Sequence, residues 1–139
     1  MNERLIFDTG FLFACFDIRD DYHIDCKQLM SRVLAQSLLP DVVLPELSYL
    51  ILKRLDVKTL VSFLQSVANG DFALERTTAG DLERAAEILE QYNDNNIDLV
   101  DAVIVAMAER LDITRILTVD RRHFGVFRPV HCAAFEIVP

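Results

Sequence analysis

Cysteine is scarce in this 139-residue chain, and the three that occur, Cys15, Cys26 and Cys132, are odd in number and far apart. No CxxC pair and no paired histidines accompany them, which argues against a zinc site and against a disulfide framework. Four glycines and four prolines are too few for a low-complexity or linker-dominated architecture. Long hydrophobic runs are missing too. The first apolar stretch, residues 5–16, is interrupted by Asp8 and is too short for a bilayer. It also has neither the basic flank nor the small-residue cleavage site of a secretory leader. A cytoplasmic protein without membrane contact is expected. Basic charge is short as well: 14 Lys and Arg against 22 Asp and Glu leave a net charge of −8. That balance disfavours nonspecific nucleic-acid binding through a basic surface. Alternatively, part of the acidic excess is a carboxylate cluster that divalent cations neutralise.

What is present is material for a core. Hydrophobic residues make up 52% and charged ones 26%, which fits one ordered domain over residues 1–139. A mean hydropathy of +0.23 leaves apolar surface over for a partner. Residues 5–7 read as a strand, followed by a turn at Asp8-Thr9-Gly10. Cys26, Leu29, Met30, Val33 and Leu34 have helical spacing within residues 23–36. A second strand is expected within residues 38–44, centred on Val42, Val43 and Leu44. Pro45 and Glu46 then open a helix carrying Leu47, Leu50, Ile51 and Leu55. A further helix, residues 57–69, directs Leu60, Val61, Leu64, Val67 and Ala68 inward and stops at Gly70. Tyr49, Leu52 and Phe63 fall off these faces, so the 46–69 hairpin is the expected contact surface of a homodimer.

Residues 72–74 make a third strand. Thr78 and Asp81 form a capping-box pattern. The helix they open puts Leu82, Ala85, Ala86 and Leu89 inward and Glu83, Arg84, Glu87 and Glu90 in water. Residues 99–111 are apolar nearly all the way round, which marks a buried helix. Residues 116–119 and 135–138 supply the last two strands. Strands alternating with helices imply an α/β fold with a mostly parallel sheet.

Carboxylates fall at telling places in this pattern. Asp8 follows the first strand, Glu46 the second and Asp120 the fourth, while Asp101 lies in the first turn of the buried helix. In a parallel sheet the C-terminal strand ends share one edge, where a ligand crevice forms. Asp98 and Asp101 also read as a plain capping pair, and acids favour helix N-termini in any protein. Like charges gathered in a crevice repel one another. A hard cation relieves that repulsion, and an all-oxygen set without His or Cys selects Mg²⁺ or Mn²⁺. The chemistry that follows is metal-assisted hydrolysis, most naturally of a phosphodiester. Thr9 and Thr118 are placed to orient carboxylates or water, or are ordinary strand-end residues. His23 and His123 read as proton shuttles or as capping histidines.

At these residues the chain resembles a PIN domain of the VapC-like toxin ribonuclease type. The matching pieces are LIFDTGFLFA at residues 5–14, PEL at 45–47, VDAVIVAMAERL at 100–111 and ILTVDRRHF at 116–124. The resemblance implies a three-layer α/β/α sandwich around a five-stranded parallel sheet. It further implies an acidic pocket of Asp8, Glu46, Asp101 and Asp120 that holds Mg²⁺ or Mn²⁺, with Asp98 as an alternative ligand, and endonucleolytic cleavage of RNA. A homodimer and an antitoxin partner inserted into the pocket are implied as well. Gly10 departs from the pattern, since the family more often has Ser there. Arg121 and Arg122, directly after Asp120, are candidates for holding RNA phosphate, or belong to a solvated loop. Asp-Thr-Gly also resembles an aspartic-protease motif, but that framework is all-β. A receiver domain would need a lysine closing a late strand. The remaining alternatives are a housekeeping nuclease of the same fold and a non-catalytic module that binds RNA or a partner protein.

Overall fold

The computed structural model describes residues 3–139. Five short strands, β1 (Leu5–Phe7), β2 (Ser37–Pro40), β3 (Ala73–Glu75), β4 (Arg115–Leu117) and β5 (Glu136–Val138), form one sheet in the order β3-β2-β1-β4-β5. Every pairing is parallel. The helices are α1 (Thr9–Phe16), α2 (His23–Val33), α3 (Val43–Arg54), α4 (Val57–Ala68), α5 (Ala79–Gln91), α6 (Leu99–Leu111) and α7 (Arg121–Val126). The chain steps one way along the sheet from β1 to β3, then crosses back past β1 to β4 and on to β5. With right-handed crossovers this puts α1–α4 on one face and α5–α7 on the other. The result is the three-layer sandwich. The step direction reverses between β1 and β4, so the crevice of the fold opens at their C-terminal ends.

The core explains the elements. β1 is buried throughout and pairs on both sides, which suits its continuous apolar run. Residues Val100–Ala108 of α6 are all buried, as a helix without a polar face requires. A chain of tilted rings, Phe16–Phe63–Phe72–Phe7–Phe11, runs through the layer on the α1–α4 side with centroid spacings of 5.5, 5.3, 5.9 and 5.8 Å.

Several expectations need correction. The second strand is Ser37–Pro40, not residues 42–44. Val42 already has helical dihedrals, and Val43 begins α3 with Pro45 inside its first turn. The Asp41 backbone still donates to Glu75 O at 2.9 Å, and its carboxylate accepts from Thr77, so the turn after Pro40 is pinned to β3. Phe63 is not a surface residue but is 3% exposed. Val61 and Leu64, expected inward, face solvent together with Val57. On α5, Leu82 and Ala86 point out, whereas Ala85 and Ile88 point in. Arg84 is not merely solvated: its Nε donates to Glu109 on α6 at 2.7 Å. The Thr78–Asp81 capping box is present as expected.

Candidate metal centre

Each of the four acids named from the sequence lies at the start of a helix on the crevice side of the sheet. Asp8 is the N-cap of α1, directly after β1. Glu46 is in the first turn of α3, Asp101 in the first turn of α6, and Asp120 caps α7 after β4. The positive ends of four helix dipoles therefore meet where the carboxylates are.

Asp8 is the best-buried of the set with Asp101, each 7% exposed. Its Oδ2 accepts the Thr118 hydroxyl at 2.7 Å, and that hydroxyl accepts the Asp120 N–H at 3.0 Å. Thr118 thus ties the end of β4 to the acid at the end of β1. Burial pushes the Asp8 carboxyl up to about 6; the Thr118 and Thr9 hydrogen bonds pull it down, while Glu46 and Asp120 push it further up. Asp101 is also held well above the ordinary carboxylate range, first by burial and then by the charge of Asp98, with Asp8 and Asp120 adding to it. Burial raises Glu46 too, and Asp98 contributes. These mutual repulsions connect the acids in space: Asp8 feels Glu46 and Asp120, and Asp101 feels Asp8 and Asp120.

Asp98 and Asp101 form a reciprocal capping box. Asp98 Oδ1 accepts the Asp101 N–H at 3.0 Å, and Asp101 Oδ2 accepts the Asp98 N–H at 3.2 Å. Asp98 is exposed and occupied as a cap, whereas Asp101 is buried and faces the other acids. Thr9 is 1% exposed. It lies beside Glu46, near enough to hold that carboxyl down in part.

The set is all oxygen, which fits a hard divalent cation. As the side chains stand, no three His, Cys, Asp or Glu groups among the described residues are drawn together closely enough to enclose an ion. That spacing suits a hydrated cation held through one or two carboxylates and several waters, rather than an all-protein cage.

The basic candidates are less well placed. The Arg121 guanidinium turns away to the Pro139 carbonyl. Arg122 is exposed. His23 leaves the crevice altogether, its Nδ1 2.8 Å from the Ala14 carbonyl. His123 does enter it: Nδ1 lies 2.9 Å from Asp120 Oδ2 and 3.5 Å from Asp101 Oδ2. Its i+3 spacing from a helix-capping acid was the available signal for that contact. Arg19 and Arg54, which the sequence did not single out, line a depression of about 400 Å³ beside Val119, but Asp17, Asp20 and Asp21 line it too and Arg19 is paired with Asp17 at 3.2 Å. Nothing in the spacing of the two arginines marks them, because they come from different elements.

Gly10 also has a local reason. A Cβ there would sit 3.2 Å from Val119 Cγ2, a tight contact that a serine would relieve only by pushing the valine methyl back by a few tenths of an ångström.

The family model of the PIN domain matches residues 5–127. The chain is a PIN-domain protein. Over 97% of its length it is 33% identical to the whole of ribonuclease VapC26 of Mycobacterium tuberculosis. Among solved structures, VapC20 of M. tuberculosis, a toxin that cleaves the sarcin–ricin loop, superimposes with a TM-score of 0.74 at 23% identity. That match covers 81% of this chain and 86% of VapC20. The DNA-bound VapBC of Salmonella typhimurium gives 0.70 at 12% identity over 96% of each chain. These structural likenesses confirm the fold expected from the sequence, and the curated relative brings the PIN domain into the company of the VapC ribonucleases.

Proposed function

We propose that this PIN domain is a divalent-cation-dependent endoribonuclease and the toxin of a toxin–antitoxin pair. The observation that supports the reading is a buried pair of carboxylates, Asp8 and Asp101, each pushed up by burial and by neighbouring acids that include Asp120, in a chain 33% identical to a ribonuclease along its whole length. Asp8 with Asp101 or Asp120 would hold Mg²⁺ or Mn²⁺ directly, the remaining acids and Glu46 acting through its bound waters and Asp98 being kept for capping. When bound, such a cation lowers the pKa of a water and stabilises charge on the leaving oxygen.

The chain's own residues do the rest. Thr118 fixes the Asp8 carboxylate and the backbone of Asp120 at once. Burial strips water from Asp8 and Asp101, so that they are costly to ionise alone and readily ionised beside a cation. Arg122, exposed in the first turn of α7 directly after Asp120, would meet RNA phosphate. The similar proteins solved as a toxin–antitoxin complex or as VapBC bound to DNA support a protein partner for this chain. The exposed apolar residues of α3 and α4, Tyr49, Leu52, Val57, Val61 and Leu64, support a homodimer through the hairpin. No helix among the described residues is long and apolar enough to cross a membrane.

The test is cleavage by purified protein of a sarcin–ricin-loop RNA and an unstructured RNA. Cleavage should require Mg²⁺ or Mn²⁺, stop with chelator and vanish in Asp120→Asn. Cleavage that persists in chelator, or in Asp120→Asn, contradicts the proposal. A neighbouring reading frame for a DNA-binding antitoxin separates a toxin from a housekeeping nuclease.

A further inference from the structure

We infer that His123 is a positioning residue, one that fixes the Asp120 carboxylate against Asp101 and so builds the cation site. The inference rests on the cation reading above and adds a part to it. Asp120 caps α7, and its Oδ1 accepts the backbone N–H of His123 at 3.0 Å. Its Oδ2 lies 2.9 Å from Nδ1 of the same histidine. One residue therefore engages both oxygens of one carboxylate, which leaves it no free rotation about its terminal torsion.

The ring does a second thing. The same Nδ1 stands 3.5 Å from Asp101 Oδ2, beyond a good hydrogen bond but within electrostatic reach. Asp101 comes from α6 and Asp120 from the end of β4, and the two repel. A ring N–H between them offsets that repulsion and holds them at the mouth of the crevice. With carboxylates as its acceptors, Nδ1 carries the proton, and Nε2 is left to the outside. The mount is rigid: Phe124, the next residue, is 1% exposed and packs edge-on against Phe127 and Phe135. Partners that orient a ligating carboxylate typically change metal affinity or activity by ~10–100-fold when removed.

Calorimetric titration of Mn²⁺ into metal-free protein tests this with a graded series. Asn places its amide nitrogen where Nδ1 lies, and Gln places one where Nε2 lies. His123→Ala and His123→Gln should weaken Mn²⁺ binding by about 10–100-fold, and His123→Asn should recover most of it. Cleavage by His123→Ala should return as Mn²⁺ is raised, with the KM for RNA unchanged. Equal or tighter binding by His123→Ala would overturn the inference, because the ring would then obstruct the site. So would Asn behaving no better than Gln, or a Mn²⁺ resonance showing directly bound imidazole nitrogen in the unaltered protein. Should the alanine variant not fold, the Asn–Gln pair decides alone. If the unaltered protein binds no Mn²⁺, the cation reading itself fails, and the inference with it.

Discussion

A carboxylate held at the end of a buried strand stores free energy that a pH titration can read. Asp8 rises from an ordinary 3.8 to about 6 because burial outweighs the Thr118 and Thr9 hydrogen bonds. Between those two values the folded chain keeps a proton that the unfolded chain has lost. Folded protein without metal is therefore destabilised as pH rises through this window, by up to about 3 kcal/mol at ~1.4 kcal/mol per pH unit. Asp8→Asn removes the ionisable group and keeps an acceptor for Thr118. Chemical denaturation of metal-free protein should show the variant equal to its parent near pH 3.5 and progressively more stable up to pH 7. A difference that does not change with pH would contradict the assignment. The same variant should lose RNA cleavage. At this scale the sequence was informative wherever chemistry lies in one side chain's position relative to a strand end, as for Asp8 and Asp101. It was silent where a role depends on two elements meeting, as for His123 against Asp101 or Val119 against Gly10.

Helices whose apolar residues run more than halfway round do not declare which face goes in. In α4, Val57, Leu60, Val61, Phe63, Leu64 and Val67 satisfy two phases at once. The ring contacts of Phe63 with Phe16 and Phe72 select the one that leaves Val61 and Leu64 outside. In α5 the choice is made by charge. Arg84 reaches Glu109 of α6, and Arg110 of α6 reaches Asp81 of α5 at 2.9 Å, so the helix turns Leu82 out to keep both pairs. No such choice exists for α6, which is buried all round and was read correctly. The second strand misled because Val42 and Val43 have higher β propensity than Ser37 and Pro40. Tertiary pairing with β1 and β3 overrode that preference. The exposed stripe of α4 makes its own prediction. Val61→Asp with Leu64→Asp should convert a dimer into a folded monomer by light scattering, without loss of melting temperature in the monomer. A parent protein already monomeric at micromolar concentration would rule out the hairpin interface.

On the scale of the molecule, the order β3-β2-β1-β4-β5 accounts for the site: its reversal between β1 and β4 opens the crevice, and the helix starts around that crevice carry the acids. The alternation of strands and helices made this legible: the first strand and α6 fall where they were read, while the boundaries of the other strands moved by a residue or more. A charge of −8 fits the same picture, since part of it is placed where cations would neutralise it. What decides most directly is diffraction from crystals soaked in Mn²⁺, recorded for anomalous signal. An anomalous peak within about 2.2 Å of carboxylate oxygens of Asp8 and Asp101 or Asp120, as divalent-ion coordination requires, is the predicted result. A protein that cleaves RNA yet shows no peak in the β1/β4 crevice, or one bound elsewhere, would contradict the account.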